Sequence, residues 1–323
     1  MITMPRARRC VWLSATLDLG AIFGADFRAH APHIELVDAV TAAEDSASVD
    51  FALAWKPAAD AFIPFPKLAF VSSIAAGVDN ILACPSLPQG LPVLRVRDDD
   101  QARMMAGFAA WHVLWHHRGM GDYLAQQRDG VWQRKLRKQP AREVRILILG
   151  FGHMGRVAAG VLSGLGYDVR AVARRAPDPA LVPHGVTVEA GPDALDRLLP
   201  AADMVINLLP LTEDTRSLLA ADFFAKLPAG AVLIQLGRGE QLIEADLLAA
   251  LDAGQLSAAS LDVFQVEPLP ADHPFWRDPR ILITPHEASE PDAGALARHI
   301  AAAAERLDRG LPVETSVDRG AGY

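Results

Sequence analysis

The tightest constraint on this chain lies near its middle, where Arg145-Ile146-Leu147-Ile148-Leu149 runs straight into Gly150-Phe151-Gly152-His153-Met154-Gly155. The apolar run reads as a buried strand, and Val157, Val161 and Leu162 follow the glycines at helical spacing. A side chain at Gly150 or Gly152 would block the tight turn or the approach of a pyrophosphate. Gly155 lets the helix pack close to the sheet, and the N-terminus of that helix faces the phosphates. A lone G-x-G-x-x-G is a weak signal, but with the strand before it and the helix after it the segment reads as a dinucleotide fingerprint. Such a unit demands a parallel α/β fold.

The choice of dinucleotide is read at the end of the next strand, about 20 residues on, where a carboxylate would bind a ribose 2′-hydroxyl. Here the strand over 168–172 ends in Ala173-Arg174-Arg175, and the nearest acid, Asp178, comes too late. No carboxylate repels a 2′-phosphate, and two guanidiniums can hold one through charge-assisted bonds. NADP(H) is therefore the preferred coenzyme, with NAD(H) possible.

The rest of the chain alternates short apolar runs with helical stretches, as an α/β protein with parallel sheets does. Strands are expected over 10–15, 34–38, 51–55, 68–72 and 93–97, with a helix over 17–30 between the first two. Asp98-Asp99-Asp100 is a plausible N-cap for a long helix over 101–118, and a polar stretch over 126–143 leads to the fingerprint strand. Beyond it, strands are expected over 144–149, 168–173, 204–208, 231–236, 258–263 and 280–284, and helices over 153–164, 194–199, 222–226 and 244–253. An Ala-rich helix occupies the 291–309 tail.

Length, 323 residues, suggests about two domains. The net charge is −8 and no basic tract occurs, so nucleic acid is an unexpected partner, and positive charge for an anionic ligand has to be local. Two cysteines, Cys10 and Cys84, argue against a disulfide framework and for a reducing compartment. No apolar run approaches the ~18 residues that span a bilayer. Arg6, Arg8 and Arg9 precede Val11-Trp12-Leu13, but Asp18 interrupts any signal-like core and no small-residue cleavage pattern follows. A cytoplasmic protein with no membrane partner is expected.

Three later segments carry chemistry: Gln235-Leu236-Gly237-Arg238-Gly239, then Leu261-Asp262-Val263-Phe264-Gln265-Val266-Glu267-Pro268-Leu269-Pro270, then Ile283-Thr284-Pro285-His286. With the fingerprint and Ala76-Gly77-Val78-Asp79 they resemble, in order and spacing, the D-isomer-specific 2-hydroxyacid dehydrogenase family. Within it they are most similar to the glyoxylate/hydroxypyruvate reductase A branch, and the resemblance covers nearly the whole chain.

The resemblance implies a catalytic set of Arg238, Glu267 and His286, and the residue types suit those roles. Arginine's planar fork can bind carboxylate and carbonyl together, as lysine cannot. Histidine titrates near neutrality and can give the proton, a step worth roughly 10²–10⁴-fold. Glu267 would orient the imidazole and raise its pKa. The resemblance further implies that the backbone amides of Ala76 and Gly77 hold a substrate carboxylate and that Trp55 forms a pocket wall. Leu209, Pro210 and Asp262 fall where the family lines the nicotinamide and adenosine sides.

The layout it implies is two Rossmann-like or flavodoxin-like domains with parallel sheets and the active site in the interdomain cleft. The substrate (catalytic) domain would be 1–97 with 291–323, and the dinucleotide-binding domain 98–290. The expected reaction is NADPH-dependent reduction of a small anionic 2-keto acid, such as glyoxylate or hydroxypyruvate, to the D-2-hydroxy acid. A homodimer follows from the family's dimerisation helix, which matches 101–118.

One departure is Glu287, where the family usually carries a small aliphatic residue; it bears on which acid is reduced. His112 and His116 are four apart and could chelate a metal, but Trp111, Val113, Leu114 and Trp115 around them read as a buried or interface helix, and no metal is expected. Alternatives are the same chemistry on a bulkier or phosphoglycerate-type acid, or a catalytically silent NADP(H)-sensing binding protein. The presence of all three catalytic residues counts against the last.

Overall fold

The computed structural model describes residues 6–134, 139–313, 317–320 and 322. They form two compact units: Met1–Gln101 with Glu290–Tyr323, and Ala102–Ser289.

The first unit is a five-stranded parallel sheet of β1 (Arg8–Ser14), β2 (Ile34–Asp38), β3 (Phe51–Trp55), β4 (Val71–Ser73) and β5 (Val93–Leu94), in the order β2-β1-β3-β4-β5. This is the flavodoxin-like arrangement, in which the strand order reverses between β1 and β3. Aspartates start its helices. Asp18 accepts the Ala21 N–H ahead of α1 (Leu19–His30), and Asp38 accepts those of Val40 and Thr41 ahead of α2 (Ala39–Glu44). A short α3 (Asp79–Leu82) precedes β5. One face of the sheet buries Cys10, Phe51, Leu53, Phe70 and Leu94 under Phe23 and Phe27 of α1 and Leu296 and Ile300 of a helix near the C-terminus. Each such large apolar side chain contributes roughly 1.5–3 kcal/mol by leaving water.

The second unit opens with α4 (Asp99–Arg118), whose first turn lies in the first unit and whose N–H groups at Asp100 and Gln101 are accepted by Asp98. After α5 (Met120–Asp129) comes a seven-stranded parallel sheet: β6 (Arg145–Leu149), β7 (Asp168–Ala173), β8 (Val186–Ala190), β9 (Met204–Asn207), β10 (Ala231–Gln235), β11 (Leu256–Leu261) and β12 (Ile281–Ile283). Its order is β12-β11-β10-β9-β6-β7-β8, the doubly wound pattern with one strand added, and it reverses between β6 and β9. Helices α6 (His153–Gly164), α7 (Ala194–Leu198), α8 (Ala221–Ala225) and α9 (Glu244–Asp252) connect the strands. The central strands β6, β9 and β10 are almost wholly buried, as strands covered on both faces are. The chain then returns to the first unit, where α10 (Ala293–Asp308) is capped by the Asp292 carboxylate on the Ala295 N–H.

Local expectations are corrected at four places. The strand expected over 68–72 forms over Val71–Ser73, and the one expected over 93–97 stops at Leu94. Strand β8 has no counterpart in the expectation, because a half-exposed edge strand of five residues bounded by Pro183-His184-Gly185 and Gly191-Pro192 reads as a loop. Part of the stretch expected to be only polar connection is helix α5, while residues 135–138 of that stretch lie outside the described residues. Among the described residues no helix is long and apolar enough to cross a membrane.

Candidate active site

In a parallel sheet the carboxyl ends of the strands share one edge, and ligands bind there near the point where strand order reverses. Nearly every residue singled out in the second unit follows a strand at that edge: Gly150 after β6, Arg174 and Arg175 after β7, Leu209 and Pro210 after β9, Arg238 after β10, Asp262 after β11 and His286 after β12.

The glycine loop is shaped for a phosphate. Gly150 has φ +96°, and a Cβ there would lie 2.9 Å from the Leu208 carbonyl oxygen, so the turn and its packing both require glycine. A Cβ at Gly155 would lie 1.9 Å from the Gly150 carbonyl oxygen, which lets α6 start against the loop. Gly152 differs: its missing side chain opens onto free space. No side chain caps α6, so its first-turn N–H groups keep their donors for a ligand. The cradle fits a dinucleotide pyrophosphate. Phe151, His153 and Met154 line the same turn half-buried, with Arg156 reaching the His153 Nδ1 at 3.4 Å. Arg174 and Arg175 stand exposed just past the end of β7.

His286 carries the strongest chemistry. Its Nδ1 lies 3.1 and 3.0 Å from the two carboxylate oxygens of Glu267, so Nδ1–H is the donor and Nε2 is left for another partner. The imidazole is 35% exposed, and Glu267 Oε1 also accepts the Phe264 N–H at 3.2 Å. His286 has φ +59°, a left-handed conformation rare outside glycine and retained where the surroundings enforce it. The enforcing group is Asp262, 1% exposed: Oδ1 accepts the Thr284 hydroxyl at 2.7 Å and the Glu287 N–H at 2.9 Å, and Oδ2 accepts the Ala288 N–H at 3.1 Å. Three bonds thus grip the turn on both sides of the histidine. Glu287 itself stays exposed.

Arg238 is half-buried, and Gly239 beside it packs so closely that a Cβ would lie 1.9 Å from the Phe264 carbonyl carbon. Its backbone is held by three wholly buried amides, Asn207, Gln235 and Gln241. Gln235 Nε2 donates to the Arg238 carbonyl at 2.9 Å, and Gln241 Oε1 accepts the Arg238 N–H at 2.8 Å. Asn207 Nδ2 donates to both glutamines, at 2.7 and 2.8 Å. These amides were not among the residues expected. Their signal is a polar residue closing an otherwise apolar strand, Asn207 after Met204-Val205-Ile206 and Gln235 after Ala231-Val232-Leu233-Ile234.

In the first unit, Trp55 ends β3 and is partly buried against the core, and the loop after β4 carries Ala76 and Gly77. Ser73 shapes that loop, its hydroxyl accepting the Ala75 N–H and donating to the Gly77 carbonyl. Lys56, next to Trp55, has φ +44°. Its N–H donates to Asn80 Oδ1 at 2.9 Å and its carbonyl accepts the Ala15 N–H at 3.0 Å. Asn80 is a further positioning residue that no motif announced.

His112 and His116 converge on a hydroxyl: Ser260 Oγ lies 2.9 Å from His112 Nδ1 and 2.7 Å from His116 Nε2. Burial pushes both imidazoles down to about 4, helped at His112 by the neighbouring His116, so both are neutral at pH 7. Among the described residues no three His, Cys, Asp or Glu side chains are grouped to hold a metal.

A family model described as "D-isomer specific 2-hydroxyacid dehydrogenase, NAD binding domain" matches residues 110–288. The chain is 39% identical over 284 residues to a glyoxylate/hydroxypyruvate reductase A of Serratia proteamaculans, covering 86% of this chain and 89% of the other. It is 38% identical over 250 residues to the protein of that name in Yersinia enterocolitica, covering 76% and 78%. Among solved structures it resembles a D-isomer specific 2-hydroxyacid dehydrogenase from Xanthobacter autotrophicus in complex with NADPH and MES, with TM-score 0.90 and 36% identity over 98% of this chain and all of the other. It also resembles an NADPH-dependent glyoxylate/hydroxypyruvate reductase from Sinorhizobium meliloti in complex with NADP and sulfate, with TM-score 0.89 and 34% identity over 98% and 100%. The chain belongs to the D-isomer specific 2-hydroxyacid dehydrogenase family.

Proposed function

We propose that this chain reduces a small 2-keto acid, glyoxylate, hydroxypyruvate or a near relative, to the D-2-hydroxy acid with NADPH as preferred reductant. The observation that carries the reading is the His286–Glu267 pair, held in a strained turn on the strand edge that also bears the pyrophosphate cradle. The relatives at 39% and 38% identity bear the name of that activity, and the structures at 36% and 34% identity hold NADPH or NADP.

When bound, the coenzyme supplies the hydride. Glu267 keeps the proton of Nδ1 in place, so a protonated His286 gives up the proton on Nε2 to the developing alkoxide oxygen. Arg238 binds the substrate's carboxylate and carbonyl oxygen through its fork and opposes the charge that grows there. Ala76 and Gly77 offer backbone N–H groups to the carboxylate, and Trp55 forms a wall of the substrate pocket. Gly150, Phe151, Gly152, His153, Met154 and Gly155 wrap the pyrophosphate, Arg174 and Arg175 hold the 2′-phosphate, and Leu209, Pro210 and Asp262 line the rest of the coenzyme. In this assignment residues 1–97 with 291–323 form the substrate domain and 98–290 the dinucleotide domain.

The functional form is a homodimer in the cytoplasm. What supports the dimer is the run of exposed apolar side chains, Met104, Trp111, Leu114, Met120 and Leu124, along α4 and α5, since grouped exposed apolar surface marks interaction sites.

The test is steady-state oxidation of NADPH and NADH against glyoxylate, hydroxypyruvate, pyruvate and phenylpyruvate. Turnover with NADPH that vanishes in Arg238→Ala and falls at least 100-fold in His286→Ala is the expected result. Tight NADPH binding without turnover of any 2-keto acid would sink the assignment and favour a sensing protein.

A further inference from the structure

We infer that Gln241 couples the coenzyme loop to the substrate arginine, so that binding NADPH orders Arg238 for the keto acid. The inference rests on the roles proposed above for Leu209, Pro210 and Arg238. Gln241 is wholly buried and uses all four of its hydrogen-bonding valences. Oε1 accepts the Arg238 N–H at 2.8 Å and Asn207 Nδ2 at 2.8 Å, while Nε2 donates to the carbonyls of Leu209 at 3.2 Å and Pro210 at 3.0 Å. The partners fix the orientation of the amide: the Arg238 N–H can only donate and the two carbonyls can only accept. One rigid planar group therefore spans the coenzyme loop and the arginine's backbone, with no residue between them.

The surroundings leave this bridge little play. A Cβ at Gly237 would lie 2.3 Å from Gln241 Oε1 and 2.9 Å from Asn207 Nδ2, so glycine is what lets the amide reach the arginine. Asn207 Oδ1 accepts the Leu209 N–H at 3.1 Å, and Gln235 takes the Arg238 carbonyl. The loop and the arginine are thus held by one satisfied network, and a shift of Leu209–Pro210 by the coenzyme moves the plane on which the Arg238 N–H rests. Buried networks of this kind act as units, because leaving one member unpaired in a dry site is costly. Linkage makes the effect reciprocal: the keto acid tightens NADPH by the same factor. Gln241 touches neither ligand; it is a positioning residue.

The experiment is calorimetric titration of oxamate, a non-reducible 2-keto acid analogue, into the full-length protein with and without saturating NADPH. Wild type, Gln241→Glu and Gln241→Met are compared. Glutamate keeps the acceptors but turns a lone pair toward two carbonyls, and methionine keeps the bulk and removes all four bonds. In wild type NADPH is expected to tighten oxamate about 10-fold or more, within the range of ordinary coupling. In either variant that ratio falls to within about 3-fold of unity, because coupling requires both halves of the bridge.

A merely structural role would weaken both ligands alike and leave the ratio intact, so a folded variant with the wild-type ratio overturns the inference. If neither variant folds, hydrogen exchange on wild type decides. NADPH alone is expected to slow exchange of the amides of residues 238–242, and no slowing overturns the coupling. Wild-type turnover with uncoupled oxamate binding would refute the coupling alone, whereas no turnover and no oxamate binding would refute the reductase assignment and the coupling with it.

Discussion

Replacing Asp262 by asparagine separates two ways in which this residue can serve the reaction. The carboxylate accepts three donors, the Thr284 hydroxyl and the N–H groups of Glu287 and Ala288, at 2.7 to 3.1 Å in a site only 1% exposed. An asparagine has one acceptor oxygen. Whichever way it turns, its NH₂ faces at least one of these donors, leaving a buried N–H or hydroxyl unpaired at about 1–3 kcal/mol. The remaining bonds lose their ionic character as well, so a stability loss of about 2–4 kcal/mol is expected in urea unfolding.

The effect on rate follows from the turn. His286 sits at φ +59°, a conformation that disfavours a non-glycine residue by about 1–3 kcal/mol and that the three bonds offset. With the grip weakened, the imidazole drifts, and a displacement of about 1 Å is enough for a 10²-fold loss. Thus kcat is expected to fall about 10- to 100-fold, by a larger factor than the NADPH dissociation constant, followed by its fluorescence, rises. A folded Asp262→Asn protein that keeps wild-type kcat would refute the reasoning. A loss confined to NADPH affinity would show that the carboxylate acts through the coenzyme instead.

Three further outcomes are expected. Gly152→Ala should fold with nearly wild-type stability, since its Cβ meets only open space, yet weaken NADPH at least about 10-fold by filling the cradle; Gly155→Ala, whose Cβ meets the Gly150 carbonyl, should lose about 3 kcal/mol or more of stability. Equal behaviour of the two in urea unfolding and NADPH titration would contradict the geometry. His112 and His116 titrate at about 4 when folded and near 6.5 when unfolded, so the unfolded chain binds more protons between these values. Stability is then complete above pH 6.5 and is lost as pH falls toward 4, by about 2 kcal/mol for each histidine at pH 5. Urea unfolding of wild type and His116→Gln at pH 7 and 5 should give the variant the shallower dependence, and identical slopes would refute the account. The double variant Arg174→Ala with Arg175→Ala should raise the KM for NADPH about 10-fold or more and leave that for NADH nearly unchanged; an equal rise for both would take the 2′-phosphate away from these arginines.

Strands and helices with a long, uninterrupted pattern were legible residue by residue: the bounds of β2, β3, β7 and α6 match the sequence reading. So was the order of chemistry-bearing segments, because each follows a strand and shares its edge. What escaped was set by contacts distant in sequence. Gln241 looks like any polar residue at a helix entrance, and its meaning comes from Asn207, 34 positions away. The left-handed turns at Lys56 and His286 are equally silent, since the aspartate and asparagine that enforce them lie 24 residues away. Edge strand β8 failed for the opposite reason, because a half-exposed strand needs few apolar residues and leaves little pattern to read.

The path of the chain through the two units has a consequence for biosynthesis. Residues 102–289 form one compact unit, so every strand and helix of that unit has been made before α10 is translated. The first unit, although begun earlier, lacks Leu296, Ala297, Ile300 and Ala304 until then, and those side chains close the core over Cys10, Phe23, Phe27 and Phe51. Domains fold as units once their residues are available. On the ribosome the middle of this chain therefore matures ahead of its beginning, and the five-stranded sheet waits, with an apolar face open, for α10 to arrive.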